Sequence, residues 1–354
     1  MSIKCGIVGA AGFTGVELIR LCLNHPAFEL VAVTSNELEG KPVAQEYPSF
    51  TGITNLVFTS HSSSALAQCD VVFLAVPHTA AMNVAPELVK RGCTVVDLSA
   101  DFRLKNPAIY QKWYKVEHTQ PELLKQAAFG LPELFRQGLE SASAKRKQGS
   151  GVLVGCAGCY PTATSLAAAP AIRNNLASKN APVVVDAISG VTGAGKGCTS
   201  RTHFCFANEN AEAYGVATHR HTPEIEQILG IEGRLVFTPH LAPLNRGLLS
   251  TVNIKLNDAS NISTTQAVEL YKEFYAHDTF VNVLDACVMP KTSSVVGTNF
   301  AHVGVAVNEQ VGMLVAVCAI DNLCKGAAGQ ALQCANIVCG LPENAGLDTL
   351  ALPV

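Results

Sequence analysis

The sequence predicts an α/β protein of two domains. Its 354 residues exceed the size of an ordinary single domain, so two hydrophobic cores are expected. Up to about residue 155, short apolar segments typical of buried strands alternate with segments of helical spacing. Further along the chain, strand-like segments are separated by longer loops. The first pattern predicts a mainly parallel sheet of βαβ units, and the second favours an α+β domain with antiparallel strands.

The first predicted domain covers residues 1–155. Buried strands are predicted over 4–8, 29–34, 71–76 and 94–98, and helices over 16–23 and 84–90. The helix over 16–23 is expected to end near Pro26, and Pro77 ends the third strand. A charged segment around 141–150 is predicted to be a surface loop.

The second predicted domain covers residues 156–322. Its strands are predicted over 182–188, 234–237, 249–254 and 313–320, and its first helix over 163–176. An apolar helix over 323–339 follows, and the C-terminal helix, with bounds of 323–354 at most, is expected to return to the first domain and complete it.

The composition limits the kinds of partner and compartment. A net charge of −3 gives no broad attraction to nucleic acid or anionic lipid, and no apolar stretch reaches membrane-spanning length. Thirteen cysteines without regular spacing, and no secretory leader pattern at the start, favour a reducing, cytoplasmic location. The low charged fraction of 15% suits a homodimer or homotetramer.

A glycine-rich loop, Gly9-Ala10-Ala11-Gly12-Phe13-Thr14-Gly15, lies between the first strand and the first helix. Glycines there let the backbone N–H groups approach a pyrophosphate, which then sits at the helix N-terminus. The spacing is GxxGxxG rather than GxGxxG, and a plain strand-helix turn is the alternative. The context favours a Rossmann-type dinucleotide-binding domain.

The end of the second strand indicates which dinucleotide is bound. An NAD site usually places Asp or Glu there, against the ribose 2′-hydroxyl. This chain has the neutral Thr34-Ser35-Asn36, with Lys41 nearby, which tolerates a 2′-phosphate and favours NADP. Glu37 and Glu39 lie close enough to keep NAD as an alternative.

A candidate nucleophile, Cys159, lies in Gly158-Cys159-Tyr160-Pro161-Thr162, just before a predicted helix. A helix N-terminus and a nearby histidine both favour the thiolate. The alternatives are a packed, inert cysteine and a redox pair with Cys156. A zinc site needs a second ligand pair that the spacing does not supply, so no metal is expected.

Two histidines flank an arginine in Thr218-His219-Arg220-His221-Thr222-Pro223-Glu224, before a helix that begins with proline. One imidazole is a candidate to pair with Cys159 and to exchange a proton with the substrate oxygen. The alternative is a loop whose histidines cap the helix.

Together these segments closely resemble the N-acetyl-γ-glutamyl-phosphate reductase family, which is related to aspartate-semialdehyde dehydrogenase. The similarity runs almost end to end. It rests on the glycine loop, the Cys159 turn, the His219 motif and five further groups: Pro77-His78, Ser99-Ala100-Asp101-Phe102-Arg103, Gly130-Leu131-Pro132-Glu133, Ser189-Gly190 with Gly193-Ala194-Gly195, and Asp321-Asn322-Leu323 with Lys325-Gly326. One departure is Cys156-Ala157, where the family usually has Asn-Pro before the glycine.

The resemblance implies a fold of the semialdehyde dehydrogenase type, with a dinucleotide-binding domain and an α+β catalytic and dimerisation domain. It implies that Cys159 is the nucleophile and His219 its acid-base partner. It also implies that NADP(H) is held by Gly9, Gly12, Phe13, Thr14, Gly15, Ser35 and Pro77, with Ser189, Gly190 and Asn322 near the nicotinamide.

The implied reaction is the NADPH-dependent reduction of N-acetyl-L-glutamyl 5-phosphate through a Cys159 thioester. This small acyl phosphate carries a carboxylate and a phosphate, for which Arg103 and Arg220 are candidate ligands, with Tyr160 beside the thiol. Two alternatives are an enzyme acting on aspartyl phosphate and a non-catalytic NADP-binding redox sensor that uses Cys156 and Cys159.

Overall fold

The computed structural model describes residues 2–62, 64–258 and 260–352. The chain forms two compact units, each with one β-sheet. The first unit is Met1–Ala157 with Ala327–Asp348, and the second is Gly158–Gly326 with Thr349–Val354.

The first unit has a six-stranded sheet in which every pair of neighbouring strands is parallel. Its strands are β1 (Ile3–Val8), β2 (Phe28–Thr34), β3 (Val71–Leu74), β4 (Thr94–Asp97), β5 (Ala128–Gly130) and β6 (Val152–Cys156). Their order is β2-β1-β3-β4-β6-β5. The predicted α/β architecture with a parallel, Rossmann-like sheet is confirmed. Strands β3, β4 and β6 are buried along their whole length, which explains why they are continuous apolar runs.

The helices of the first unit before the second begins are α1 (Phe13–Leu23), α2 (Val43–Glu46), α3 (Ala81–Lys90), α4 (Pro107–Tyr114), α5 (Pro121–Gln126) and α6 (Pro132–Lys147). The predicted surface loop at 141–150 is wrong in its first part. There α6 continues to Lys147, because Ala142 and Ser143 are buried on one face and three basic residues suit the helix C-terminus.

The second unit has a seven-stranded mixed sheet in the order β11-β12-β13-β10-β7-β9-β8. Its strands are β7 (Val183–Gly190), β8 (Glu212–Ala213), β9 (Leu235–Ala242), β10 (Leu248–Lys255), β11 (Val281–Val283), β12 (Ala301–Asn308) and β13 (Met313–Ile320). The expectation of antiparallel pairing is wrong at two places, since β7 pairs with β9 and β11 with β12 in parallel. The connection between β7 and β9 is long enough to carry other elements and return in the same direction.

The remaining helices are α7 (Cys159–Arg173), α8 (Phe204–Ala207), α9 (Thr222–Leu229), α10 (Thr264–Phe274) and α11 (Gly329–Cys339). A π-helical turn, Cys324–Ala328, precedes α11. The final helix is therefore shorter than the predicted helix over 323–339, and Gly340 ends it in the left-handed conformation, so it does not extend through 323–354.

Burial alternates along β7, β9 and β10. One face of this sheet is buried against its own unit. At the alternate positions, Ile188 and Val236 are 40% and 49% exposed. Among the described residues, none of the helices is long and apolar enough to cross a membrane.

Candidate functional site

The glycine loop after β1 is shaped by close backbone packing. Gly9 has a φ of 81°, and a Cβ there would lie 2.3 Å from the Ala75 carbonyl oxygen. A Cβ at Gly15 would lie 2.4 Å from the Gly9 carbonyl oxygen. The chain's own packing therefore requires glycine at both positions.

Gly12 is different, because the chain's packing does not require a glycine there. It is the N-cap of α1 with an extended backbone, and no side-chain hydrogen bond caps this end among the described residues. A Cβ at Gly12 would have only the Gly9 carbonyl oxygen, at 3.8 Å, within 4 Å in the described structure. Phe13 is 38% exposed and Thr14 half-buried. This helix start, with no acidic side chain in its first turn, fits the pyrophosphate of a dinucleotide.

Tyr47 stabilises the glycine loop. Its hydroxyl donates a hydrogen bond of 2.7 Å to the Ala11 carbonyl oxygen. The Ala10 N–H donates to the Thr34 carbonyl oxygen at 2.9 Å, which ties the loop to the end of β2. Sequence reasoning missed Tyr47, since no local pattern links it to a loop 36 residues away.

The end of β2 is a neutral, hydroxyl-rich region. Thr34 Oγ1 and His61 Nδ1 are 2.6 Å apart, and the His61 N–H donates to Asn36 Oδ1. Ser35 is buried, and its Oγ accepts the Leu38 N–H at 3.3 Å. Burial lowers the pKa of His61, which favours its neutral form. The described hydrogen bonds at this strand end involve no carboxylate.

Asp101 explains why the Ser99–Arg103 motif and Pro77 lie near each other. Its carboxylate accepts hydrogen bonds from the backbone N–H groups of Thr79, Ala81 and Met82 and from the Tyr110 hydroxyl. These bonds fix the segment that joins Pro77 to the start of α3. Pro77 itself is exposed.

Arg103 is buried, with 5% of its surface exposed. Its Nε donates to the Cys156 carbonyl oxygen at 2.6 Å, and Nη2 donates to the Leu98 carbonyl oxygen at 2.7 Å. These bonds hold the end of β6, three residues before Cys159. The predicted role of Arg103 in substrate binding stays a prediction.

The candidate nucleophile lies at the start of α7, as predicted. The N-cap of this helix is Gly158, with φ −70° and ψ 165°, and Cys159 is its first residue. Cys159 is half-buried, whereas its neighbours Gly158 and Tyr160 are buried. The site therefore exposes a thiol beside the N–H groups of a buried helix N-terminus, an arrangement that favours a thiolate. Cys156 is a free, buried thiol.

Glu224 connects the histidine motif to the thiol turn. It is 1% exposed, and its Oε1 accepts the Gly158 N–H at 2.8 Å. The carboxylate lies in the first turn of α9, and it fixes the residue that precedes Cys159. Glu224 belongs to the same motif as His219, but no local pattern in the sequence predicts its contact with Gly158.

His219 lies among aromatic rings. Its ring makes edge contacts with Tyr160, Tyr214 and Phe237 at centroid distances of 5.6, 5.5 and 5.4 Å. Burial, and then the Arg220 charge, lower the pKa of His219 to about 4. Its Nδ1 accepts the His221 N–H at 3.1 Å, so the neutral ring carries its proton on Nε2.

Tyr160 is buried, and its hydroxyl group has protein partners. It donates to the His240 carbonyl oxygen at 3.0 Å and accepts from the Tyr214 hydroxyl at 3.1 Å. Burial raises the pKa of Tyr214 to about 12, and the Cys159 charge is a smaller cause of the increase. Tyr160 thus packs His219 against the helix start, and Arg220 is exposed beside it. The substrate-binding roles of Tyr160 and Arg220 stay predictions.

Ser189, Gly190 and Asn322 converge in the second unit. Asn322 Nδ2 donates to Thr192 Oγ1 at 2.9 Å, and its Oδ1 accepts the Gly247 N–H at 2.8 Å. A Cβ at Gly190 would lie 2.8 Å from the Leu244 carbonyl oxygen. Their proximity to a nicotinamide stays a prediction.

No metal cluster is found in the part of the chain that the structure describes, where no three His, Cys, Asp or Glu side chains are grouped to hold an ion.

Similar proteins match most of each unit and nearly the whole chain. Residues 4–142 match the family described as semialdehyde dehydrogenase, NAD binding domain, and residues 159–322 match semialdehyde dehydrogenase, dimerisation domain. The N-acetyl-gamma-glutamyl-phosphate reductase of Desulforamulus reducens is 44% identical over 98% of both chains. That of Pelotomaculum thermopropionicum is 45% identical over 98% of both chains.

The chain belongs to the N-acetyl-gamma-glutamyl-phosphate reductase family. The predicted family is thereby confirmed. Members of this family are oxidoreductases acting on aldehyde groups, and the NAD-binding domain gives the chain a nicotinamide dinucleotide cofactor.

Solved structures of more distant relatives share the fold of this reductase family member. Aspartate semialdehyde dehydrogenase II of Vibrio cholerae has a TM-score of 0.70 and 16% identity over 96% of this chain and 98% of that one. The Candida albicans aspartate semialdehyde dehydrogenase, solved with NADP, has a TM-score of 0.70 and 16% identity, covering 98% and 99%. The predicted semialdehyde dehydrogenase fold is confirmed.

Proposed function

We propose that this protein reduces N-acetyl-L-glutamyl 5-phosphate to N-acetyl-L-glutamate 5-semialdehyde, a step of arginine biosynthesis, with Cys159 as the nucleophile. The observation that carries the proposal is the half-buried Cys159 thiol at the buried N-terminus of α7, in a chain 44% identical to a named reductase of this substrate. A helix N-terminus stabilises both a thiolate and a developing oxyanion.

The first step forms a bond between Cys159 Sγ and the acyl carbon of the substrate. The carbon–oxygen bond to phosphate breaks, and phosphate leaves with its electron pair, which gives a thioester. The exposed Arg220 is proposed to attract the anionic groups of the substrate.

The second step is a reduction. The reduced nicotinamide, when bound, supplies the hydride that the thioester carbon accepts. His219 Nε2–H then donates a hydrogen bond to the resulting oxyanion, since Nδ1 is engaged by the His221 N–H. The carbon–sulfur bond breaks, the thiolate leaves with the electron pair, and the semialdehyde is released.

We propose NADP(H) as the cofactor, held at Gly9, Gly12, Phe13, Thr14, Gly15, Ser35 and Pro77, with Ser189, Gly190 and Asn322 serving the nicotinamide end. The proposal is supported by the open position at Gly12 and by the neutral hydroxyl groups at the end of β2. A 2′-phosphate is not repelled by a carboxylate there, whereas NAD recognition usually uses one.

We further propose that the protein is a homodimer or homotetramer in a reducing, cytoplasmic compartment. The half-exposed face of the second sheet, with Ile188 and Val236, belongs to the region that matches a dimerisation domain. The thirteen cysteines have no regular spacing, which fits a reducing compartment.

The test is the reverse reaction. The protein is incubated with N-acetylglutamate semialdehyde, phosphate and NADP, and NADPH absorbance is followed. We expect phosphate-dependent NADPH formation. Turnover with aspartate semialdehyde in place of the acetylated substrate would contradict the proposed substrate, and no turnover with either would favour the redox sensor.

A further inference from the structure

Gly326 lies against the Cys159 side chain within the second unit. A Cβ added at Gly326 would lie 2.7 Å from Cys159 Cβ and 3.2 Å from Cys159 Cα. Native protein interiors do not contain carbon–carbon contacts as short as the first. Because Cys159 Cα and Cβ do not move when the side chain rotates about χ1, a rotamer change cannot relieve this contact. Any residue larger than glycine must displace one of the two backbone segments.

The segment that carries Gly326 is firmly fixed. Asp321 is fully buried, and its carboxylate accepts hydrogen bonds from four donors: the N–H groups of Gly297, Leu323 and Cys324, and Nε of Arg246. The Gly326 N–H in turn donates to the Asp321 carbonyl oxygen at 2.9 Å. The Gly326 backbone is therefore a rigid surface against which Cys159 packs.

A π-helical turn, Cys324–Ala328, shapes this surface. Such turns are rare, and they frequently occur at functional sites. The backbone of Gly326 is in an ordinary conformation, since its φ is not positive, so an alanine there is opposed by contact with Cys159 and not by backbone strain. Glycine is thus required at position 326 so that Cys159 can keep its position.

We propose that Gly326 is a positioning residue for the Cys159 thiol. By having no side chain, it lets Cys159 Cβ occupy the place in which Sγ lies at the N-terminus of α7. This inference rests on the proposed role of Cys159. Gly326 acts only through Cys159 and makes no direct contact with the substrate.

The test compares Gly326→Ala with two other variants of the full chain. Gly138→Ala is the matched control, because it lies in α6 with an ordinary φ and a Cβ there would meet no described atom within 4 Å. Cys159→Ser tests the proposed nucleophile itself. The readouts are kcat, KM, and the pH dependence of iodoacetamide alkylation at Cys159, measured by peptide mass spectrometry.

We expect Gly326→Ala to lower kcat about 100-fold, since a displacement of about 1 Å costs that much, while KM changes less than about threefold. The alkylation midpoint is expected to rise toward that of a free cysteine, about 8.5, as Sγ leaves the helix N-terminus. Gly138→Ala is expected to behave as the unmodified chain in each measurement.

Two results would overturn parts of this scheme separately. A folded Gly326→Ala protein with unchanged kcat and alkylation profile, beside an inactive Cys159→Ser, overturns the role of Gly326 alone. An active Cys159→Ser overturns the proposed function. If Gly326→Ala does not fold, Asp321→Asn decides, because it loosens the same turn without adding an atom next to Cys159. An unchanged alkylation profile in that variant rejects the inference.

Discussion

Helices α1 and α7 begin in nearly the same way and differ in what surrounds them. Each follows a parallel strand, each has a glycine N-cap with an extended backbone, and the first turn of each closes with a 2.9 Å hydrogen bond to that glycine's carbonyl oxygen. Around Gly12 the helix start is open, whereas around Gly158 it is buried. The open start suits a diphosphate, and the buried start suits a single thiolate.

A helix N-terminus therefore acquires its chemistry from its surroundings. At α1 a ligand's charge would meet the helix N–H groups, and Tyr47 only supports the loop. At α7 Glu224 accepts the Gly158 N–H, so the protein supplies one of the acceptors itself. The sulfur of Cys159 is then the group that benefits from the remaining N–H dipoles.

The largest effect is expected from Cys159→Ala, which removes the chemistry of the α7 start and leaves α1 unchanged. Turnover should fall by about 10⁴-fold or more, because the thioester route is lost. The affinity for NADPH, measured by fluorescence titration, should be unchanged. Loss of NADPH binding in this variant would contradict the expectation that the starts of α1 and α7 have separate functions. Cys156→Ala is the control, since that buried thiol has no assigned step.

Glu224→Ala is expected to disturb the α7 start through its N-cap. The buried Gly158 N–H loses its acceptor, which costs about 1–3 kcal/mol in the free energy of unfolding. The displaced helix start should also lower kcat about tenfold or more. Glu226→Ala in the same helix is the matched control, because its carboxylate accepts an exposed Gly233 N–H. Equal effects from both variants, by chemical denaturation and steady-state kinetics, would argue against a special role of Glu224.

Gly12→Ala is expected to affect ligand binding at the α1 start and little else. The new Cβ meets no close protein neighbour among the described residues, so the unfolding free energy should stay within about 1 kcal/mol of the original. A methyl group in the space for the pyrophosphate should weaken NADPH binding about tenfold, or 1.4 kcal/mol. Gly15→Ala is the contrast, since its Cβ meets backbone at 2.4 Å and should destabilise the fold. Calorimetry of binding and unfolding would separate the two, and unweakened NADPH binding by Gly12→Ala would remove α1 as the pyrophosphate site.

The smallest effect concerns the pH dependence that His219 gives the second unit. Its folded pKa of about 4 lies below the usual 6.5, so the unfolded chain binds more protons between these values. Stability therefore falls as the pH decreases from about 6.5 to about 4, and His219→Gln should weaken that slope. The kcat profile should show no inflection near pH 6.5. An inflection there would indicate a titrating His219, and His277→Gln serves as the exposed control.

Local patterns predicted much of the fold and the two site-forming loops. Strands β1 and β4 are short apolar runs beside turn residues, so burial and periodicity reveal them directly. The charged end of α6 was not predicted as helix. Only one face of the helix is buried there, and the many polar residues obscure its periodicity. Strands β11 and β12 were not predicted, and their parallel pairing depends on contacts between segments distant in sequence.

Contiguous residues were sufficient to predict the glycine loop, the position of Cys159 at a helix start, and the family. The contacts that shape the start of α7 are visible only in the tertiary structure. Glu224 contacts a residue 66 positions earlier, and Gly326 packs against Cys159 from the other end of the second unit. Such contacts depend on how separate elements pack, and no local periodicity encodes that packing.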